Sequence, residues 1–431
     1  MKICVLGLWH LGSTTAACLA SAGFETVGLD SDEACVSGLK QGVPPLYEPG
    51  LAELVEQGLA TGMLTFTTDT ASALKAASVL WIAIDTPVDD DDEGDVGAVL
   101  EAVENAFPHV EDGTTVLVSS QLPVGTTALL ERHFALQATG REVSFVYSPE
   151  NLRLGDAIEA FMRPERIVVG VRGAGMIEKL KPLLRKFSDE LHWTSIESAE
   201  MSKHALNAYL ATSITFANEV AAISEQVGAD AVEVEAALRS DPRVGRHAYV
   251  RPGPAFAGGT LARDVAYLNR LAAENHLELP LLASVIPSNR AHRDWPIRKL
   301  EERLGQVSGR SVGVLGLAYK PGTDTVRRSV GIDVCRWLAR KGAAVRAYDP
   351  KVSSLPEALE GAVSLVRTPL EAIRGADAAV VATEWPEFRD LQADDFADAM
   401  NTPLVIDPGR LLAESVATDE RIEYVAVGVA Q

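Results

Sequence analysis

Cysteine is scarce in this chain of 431 residues, and where it is missing matters most. The four thiols are Cys4, Cys18, Cys35 and Cys335, so none lies between residues 36 and 334. That spacing suits neither a zinc site nor a redox pair, and no metal is expected. Cys4 and Cys18 fall on the apolar faces of a first strand and helix, which reads as buried filler. Positive charge is also short. The formal net charge of −21 argues against nucleic acid or an anionic membrane surface as a partner. Long apolar runs are absent as well, and none is long enough to span a bilayer. The opening Met1-Lys-Ile-Cys-Val-Leu-Gly7 carries no cleavable signal pattern. A cytoplasmic location is the expectation.

What is present is a globular composition, 47% apolar, with length enough for two or three domains. Strand-like runs at residues 3–6, 26–30, 64–67, 79–84, 115–119, 144–147 and 166–169 alternate with helical patterns, the first at 13–22. This alternation predicts a parallel sheet flanked by helices. Residues 197–228 read as one long helix, with Ser198 as its cap and Gly228 as its end. Residues 230–305 read as mostly helical, broken by a glycine- and proline-rich loop at 240–264. A second α/β unit starts near 311, with strands at 312–316, 344–348, 378–382 and 404–406 and a helix at 332–341. The expected class is α/β: two Rossmann-like, doubly wound parallel-sheet domains at 1–196 and 306–431, joined by a helical middle domain at 197–305.

The first strand runs into Gly7-Leu-Trp9-His10-Leu11-Gly12 and then a helix, the context of a dinucleotide-binding turn. The helix N-terminus is the expected seat of the pyrophosphate. Asp30, at the end of the second strand, is placed to accept hydrogen bonds from the adenosine ribose, which favours NAD over NADP. The middle glycine of the usual motif is Trp9, whose indole either clashes with the cofactor or swings aside to cover it. Charge reverses locally between 239 and 263, where Arg239, Arg243, Arg246, Arg251 and Arg263 face one acid, Asp241. This segment is a candidate anion site. A solvated loop face is the competing reading.

Several motifs then follow in a fixed order. They are Gly42-Val-Pro-Pro-Leu-Tyr-Glu-Pro-Gly-Leu51, Thr86-Pro87 followed by an acidic loop at 89–95, Ser120-Gln121-Leu-Pro-Val-Gly125, and Ser148-Pro-Glu150. After these come Lys203-His-Ala-Leu-Asn207 with Asn218-Glu219, Asp241-Pro-Arg243-Val-Gly245, and Gly253-Pro-Ala-Phe-Ala-Gly-Gly-Thr260-Leu-Ala-Arg-Asp264. The last are Gly316-Leu-Ala-Tyr-Lys320-Pro-Gly-Thr-Asp324 with Arg327, and Thr383-Glu-Trp-Pro-Glu-Phe388. Together they resemble the UDP-glucose/GDP-mannose (nucleotide-sugar) 6-dehydrogenases over nearly the whole chain. The departures fall on chemistry. The family's nucleophilic cysteine is Thr260, a threonine that helps hold the catalytic water is Gln121, a lysine is Arg263, and Asn151 replaces a bulky residue after the Pro-Glu pair.

The resemblance implies NAD contacts from Gly7, Trp9, His10, Leu11, Gly12, Asp30, Thr86, Gln121 and Arg327. It implies substrate contacts from Arg243, Tyr249, Phe256, Gly258 and Lys320, with Arg243 reaching a neighbouring subunit. It assigns chemistry to Lys203, Asn207, Asp264, Glu150 and the Thr260 position, and a homodimer to the long helix. Three functions stay open. The first is NAD-dependent oxidation of a nucleotide sugar's primary alcohol without a cysteine thioester, ending at the aldehyde or passing through its hydrate to the acid. The second is a conventional four-electron 6-dehydrogenase. The third is a non-catalytic nucleotide-sugar-binding protein.

Overall fold

The computed structural model describes residues 1–86, 94–138 and 140–429. Pro87 and most of the acidic run at 89–95 lie outside the described residues. The chain divides into two compact units, Met1–Ala205 and Leu206–Gln431.

The first unit is built on eight strands: β1 (Lys2–Leu6), β2 (Glu25–Leu29), β3 (Leu64–Thr67), β4 (Val79–Ile82), β5 (Thr115–Val118), β6 (Ser144–Tyr147), β7 (Ile167–Gly170) and β8 (Leu191–Thr194). They lie in the order β3-β2-β1-β4-β5-β6-β7-β8. Every pairing is parallel except β6 with β7. Helices cover both faces, so the strands read as continuous apolar runs. In β1, Ile3 and Val5 enter one core cluster while Cys4 and Leu6 enter the other, as alternation across a strand requires. The strand order reverses between β1 and β4. The crevice at the carboxyl ends there is where an open α/β sheet binds its ligand.

Ahead of a second sheet, the second unit carries most of the long helix Ile196–Val227 and four further helices, Ala231–Ser240, Thr260–Glu274, Pro280–Arg293 and Trp295–Leu304. Its strands are β9 (Ser311–Leu315), β10 (Ala344–Tyr348), β11 (Val363–Leu365), β12 (Ala378–Val381), β13 (Leu404–Ile406) and β14 (Glu423–Val425). The order β11-β10-β9-β12-β13-β14 is wholly parallel and repeats the reversal beside the first strand.

Both Rossmann-like sheets and the long helix are as the sequence predicts. Some boundaries differ. The first helix runs His10–Ser21, starting inside the glycine turn, because Trp9 takes the cap position with an ordinary negative φ of −69°. The long helix is Ile196–Val227. Its cap is Ser195, whose Oγ accepts the Ser198 amide at 3.2 Å, so Ser198 is inside the helix. Gly228, at φ 80°, ends it in the left-handed region that favours glycine. Strands β8, β11 and β14 were not expected. Each is short and carries polar or charged residues, so its pattern alone is weak.

Candidate active site

The glycine turn of the first unit leaves no room for side chains. A Cβ on Gly12 would sit 1.6 Å from the Gly7 carbonyl oxygen, and one on Gly7 would sit 2.7 Å from Ile84 Cα. Gly7 also has φ 90°. Strand, turn and helix are therefore packed backbone to backbone, with helix amides at the mouth of the switch-point crevice. Trp9 is 51% exposed, so its indole is not packed into the turn. Asp30 accepts the Leu8 amide at 2.7 Å and the Asp32 amide at 3.0 Å and stays partly exposed.

The second sheet repeats this device and closes it. Gly316 and Gly331 make the same close approach, with a Gly331 Cβ 2.2 Å from the Gly316 oxygen. Asp349 stands where Asp30 stands and accepts the Leu317 amide at 2.7 Å. Asp349 also accepts from the amides of Ala318, Lys351 and Val352 and from Trp385 Nε1. Its oxygens are committed to the protein. Asp30, with two amides and partial exposure, retains accepting capacity that Asp349 lacks.

Two carboxylates close to the turn were given no role from the sequence. Asp85 Oδ2 accepts the Leu11 amide at 3.0 Å, placing an anion at the helix N-terminus. Glu48, 5% exposed, bonds the His10 ring at 2.8 Å. Thr86 Oγ1 donates to the Gln121 carbonyl at 2.8 Å and so ties the ends of β4 and β5 together. Below that loop, the His204 ring bonds the Leu122 carbonyl at 2.9 Å, and Glu200 accepts the amides of Gly125 and Thr127 at 2.6 and 2.9 Å. Lys203 is 7% exposed. Its Nζ donates to the Glu150 carbonyl at 2.5 Å and pairs with the Glu150 carboxylate at 3.1 Å. Glu150 Oε2 in turn accepts the Leu152 amide at 2.8 Å.

In the second unit, Asn207 Nδ2 donates to the carboxylate of Asp264, and both are buried. Asp264 lies one turn along the helix that Thr260 begins, while Thr260 itself is exposed. The loop leading to Thr260 is fixed at its backbone. Asn289 both accepts from the Phe256 amide and donates to its carbonyl, each at 3.0 Å. Asn218 accepts the Gly253 amide at 3.0 Å, and the His292 ring bonds the Gly253 carbonyl at 2.8 Å. Gly258 has φ 74°, and a Cβ there would lie 2.9 Å from the Tyr319 ring. Lys320 sits over that ring at 5.7 Å. Tyr249, Arg243 and Arg327 are exposed, and Phe256 is buried.

Among the described residues, no base is hydrogen-bonded to the Thr260 hydroxyl. Burial pushes His292 down from its ordinary value, and its ring is committed to Gly253. The thiols offer no substitute. Burial pushes Cys4, Cys18 and Cys335 up to about 12. Burial followed by the charges of Asp30 and Asp32 pushes Cys35 up to about 11. All four stay protonated near neutral pH. The basic segment is largely paired: Arg239 with Glu235 at 2.9 Å, Arg243 with Asp241 at 2.7 Å, Arg251 with Glu384 at 3.6 Å. Among the described residues there is no group of three or more acids, histidines or cysteines placed to hold a metal ion.

Three family models cover the chain in order. Residues 1–188 match the NAD binding domain of the UDP-glucose/GDP-mannose dehydrogenase family, 197–291 its central domain and 313–414 its UDP binding domain. The chain belongs to the UDP-glucose/GDP-mannose dehydrogenase family. It is 36% identical to UDP-glucose 6-dehydrogenase TuaD of Bacillus subtilis (strain 168), across 96% of this chain and 90% of that one. It is 35% identical to a UDP-glucose 6-dehydrogenase of Rhizobium meliloti (strain 1021), across 99% of each. A solved UDP-glucose dehydrogenase of the hyperthermophilic archaeon Pyrobaculum islandicum superposes with a TM-score of 0.88 at 32% identity, across 100% of this chain and 97% of that one. As a member of this dehydrogenase family the protein uses NAD. The close-packed turn and the open acceptor on Asp30 fit that cofactor. The Asp85 carboxylate on the Leu11 amide opposes it.

Proposed function

We propose that this protein oxidises the primary alcohol of a UDP-hexose-like nucleotide sugar with NAD, without a covalent thioester. The product is the aldehyde, or the acid formed through the aldehyde hydrate. One observation carries the reading. Asp264, on the helix that begins at Thr260, is kept paired with Asn207 of the long helix, both buried, while every thiol is held protonated. NAD, when bound, accepts the hydride from the alcohol carbon. The chain's own groups handle charge and protons. Lys203 and Asn207 stabilise the oxyanion that develops on the alcohol oxygen. Asp264 serves the proton relay with Lys203, and Glu150 assists attack by water. A threonine hydroxyl without a neighbouring base is a poor nucleophile. A gem-diol already contains the tetrahedral carbon a second oxidation needs, so Thr260 need not bond the substrate.

The substrate proposal is supported by the match to the UDP binding domain and by the names of the relatives. Those names also favour a second reading, the four-electron oxidation to the acid. Arg243, Tyr249, Phe256, Gly258 and Lys320 are proposed for the substrate, with Arg243 reaching a partner's site. Gly7 to Gly12, Asp30, Thr86, Gln121 and Arg327 are proposed for the cofactor. We take the domains as 1–196, 197–305 and 306–431 and the protein as a cytoplasmic homodimer. No helix among the described residues is long and apolar enough to cross a membrane.

The test counts reduced cofactor. With excess NAD and limiting UDP-glucose taken to completion, one NADH per sugar identifies the aldehyde. Two, with Thr260→Ala unchanged, identify the hydrate route. Two that fall to one or none in Thr260→Ala assign Thr260 a covalent role and overturn the proposal. No NADH across a panel of sugar nucleotides that still bind by calorimetry marks a binding protein instead.

A further inference from the structure

We infer that Glu48 is a positioning residue that couples the cofactor turn to the Glu150 segment. Its carboxylate joins three stretches of chain. Oε2 accepts from His10 Nε2 at 2.8 Å and from the Gly155 amide at 2.8 Å, and Oε1 accepts the Ala157 amide at 2.9 Å. His10 opens the helix at the dinucleotide turn, Gly155 lies in the loop that starts at Glu150, and Ala157 opens the helix that follows it. One oxygen is shared between His10 and Gly155, so a shift of the imidazole alters the bond that holds the loop. The Glu48 side chain is 1% exposed and the His10 side chain 12%. With water excluded, neither bond has a ready substitute. Burial alone pushes the Glu48 carboxyl up, but the His10 bond and the Ala157 and Gly155 amides outweigh it and hold the carboxyl below its ordinary range. The group is therefore a charged acceptor, which strengthens all three bonds. Nothing covalent or local in sequence links the turn to the loop: Glu48 lies 38 residues from His10 and 107 from Gly155. Settling of NAD on the turn fixes His10, and Glu48 passes that order to Glu150, which touches Lys203.

The inference rests on NAD binding and not on the identity of the sugar, so it is tested with NAD alone. Hydrogen exchange of peptides covering 148–157 is measured with and without saturating NAD. In the unaltered protein NAD slows exchange at Gly155 and Ala157 by about 5-fold or more. His10→Ala, which leaves Glu48 bonded to both amides, reduces that response to within about 2-fold at saturating NAD. His10→Gln, which keeps a donor, restores most of it. Glu48→Gln removes the response and speeds exchange in both states. Should Glu48→Gln fail to fold, the two His10 variants decide alone. An unaltered protein with no NAD-dependent slowing at 148–157 overturns the inference, as does a His10→Ala variant that keeps the response.

Discussion

Asp85 and Thr260 show how single side chains set what a shared fold can do. Asp85 places a carboxylate on the Leu11 amide at the end of the helix where the pyrophosphate is expected to settle. Two anions at one helix terminus repel. Asp85→Asn keeps the acceptor and removes the charge, and NAD should then bind about 3–10-fold more tightly by calorimetry, with the gain shrinking in high salt. Thr260 starts a helix and is exposed. Thr260→Ala should leave the single-turnover rate of the first oxidation within about 2-fold, because no interaction unique to that transition state is lost. Thr260→Cys should not restore full four-electron activity while Gln121 and Arg263 remain. The absence of a thiol at this position is legible in the sequence. Asp85 and Glu48 were not, because an acid in a loop reads as solvated until its burial and partners are known.

At the level of elements, the loops are held by side chains far away in sequence. The helix Thr126–Gln137 begins at Gly125, which has no side chain to cap it. The cap is Glu200, 0% exposed, which accepts the Gly125 and Thr127 amides from the start of the long helix. Glu200→Ala leaves two amides without their acceptor and should cost about 2–4 kcal/mol in urea unfolding, with Glu200→Gln recovering roughly half. Strand and helix types followed from apolar periodicity, and the end of the long helix followed from Gly228. Its cap did not: Ser198 was the expected cap, and the backbone places it inside the helix with its amide on the Ser195 hydroxyl. Asn218 and Asn289 present the same difficulty. Their role is to satisfy the backbone of the Gly253–Phe256 loop, which no local pattern announces.

The whole molecule raises questions of assembly and of charge. On the long helix, Tyr209, Phe216 and Ile223 recur every seven residues and are 59%, 51% and 63% exposed. An apolar stripe at that spacing suits packing against a second copy. The proposed dimer predicts that Phe216→Asp sediments as a monomer at about 10 μM, where the unaltered protein sediments as a dimer. Individual buried carboxyls are shifted in opposite directions. Burial pushes the carboxyl of Asp407 up, and burial with the nearby Asp407 charge pushes Glu384 up against Arg251. A raised carboxyl holds its proton more tightly when folded. The contributions of Glu384 and Asp407 therefore grow as pH falls from neutral through those raised values, until the unfolded-state value near 4 is passed. Glu48 is lowered, so its contribution is present above about 4.3 and is lost as pH falls through its folded value. Glu384→Gln should raise the melting temperature at pH 7.5 and have a smaller effect at pH 5, read by calorimetry.

The sequence by itself determined the two Rossmann-like sheets, the long helix, the family and the lack of a thiol beside Asp264. Those follow from local periodicity, glycine spacing and residue identity, which survive without coordinates. Tertiary structure alone decided which of two matching Asp positions stays open to a ribose, since Asp349 is saturated by donors that Asp30 does not meet. It alone showed that Trp9 is exposed, that Asp85 bonds the helix amide, and that Glu48 ties His10 to Gly155. Burial and hydrogen bonding between residues tens of positions apart set the charge and freedom of these groups, and neither is written in the local sequence.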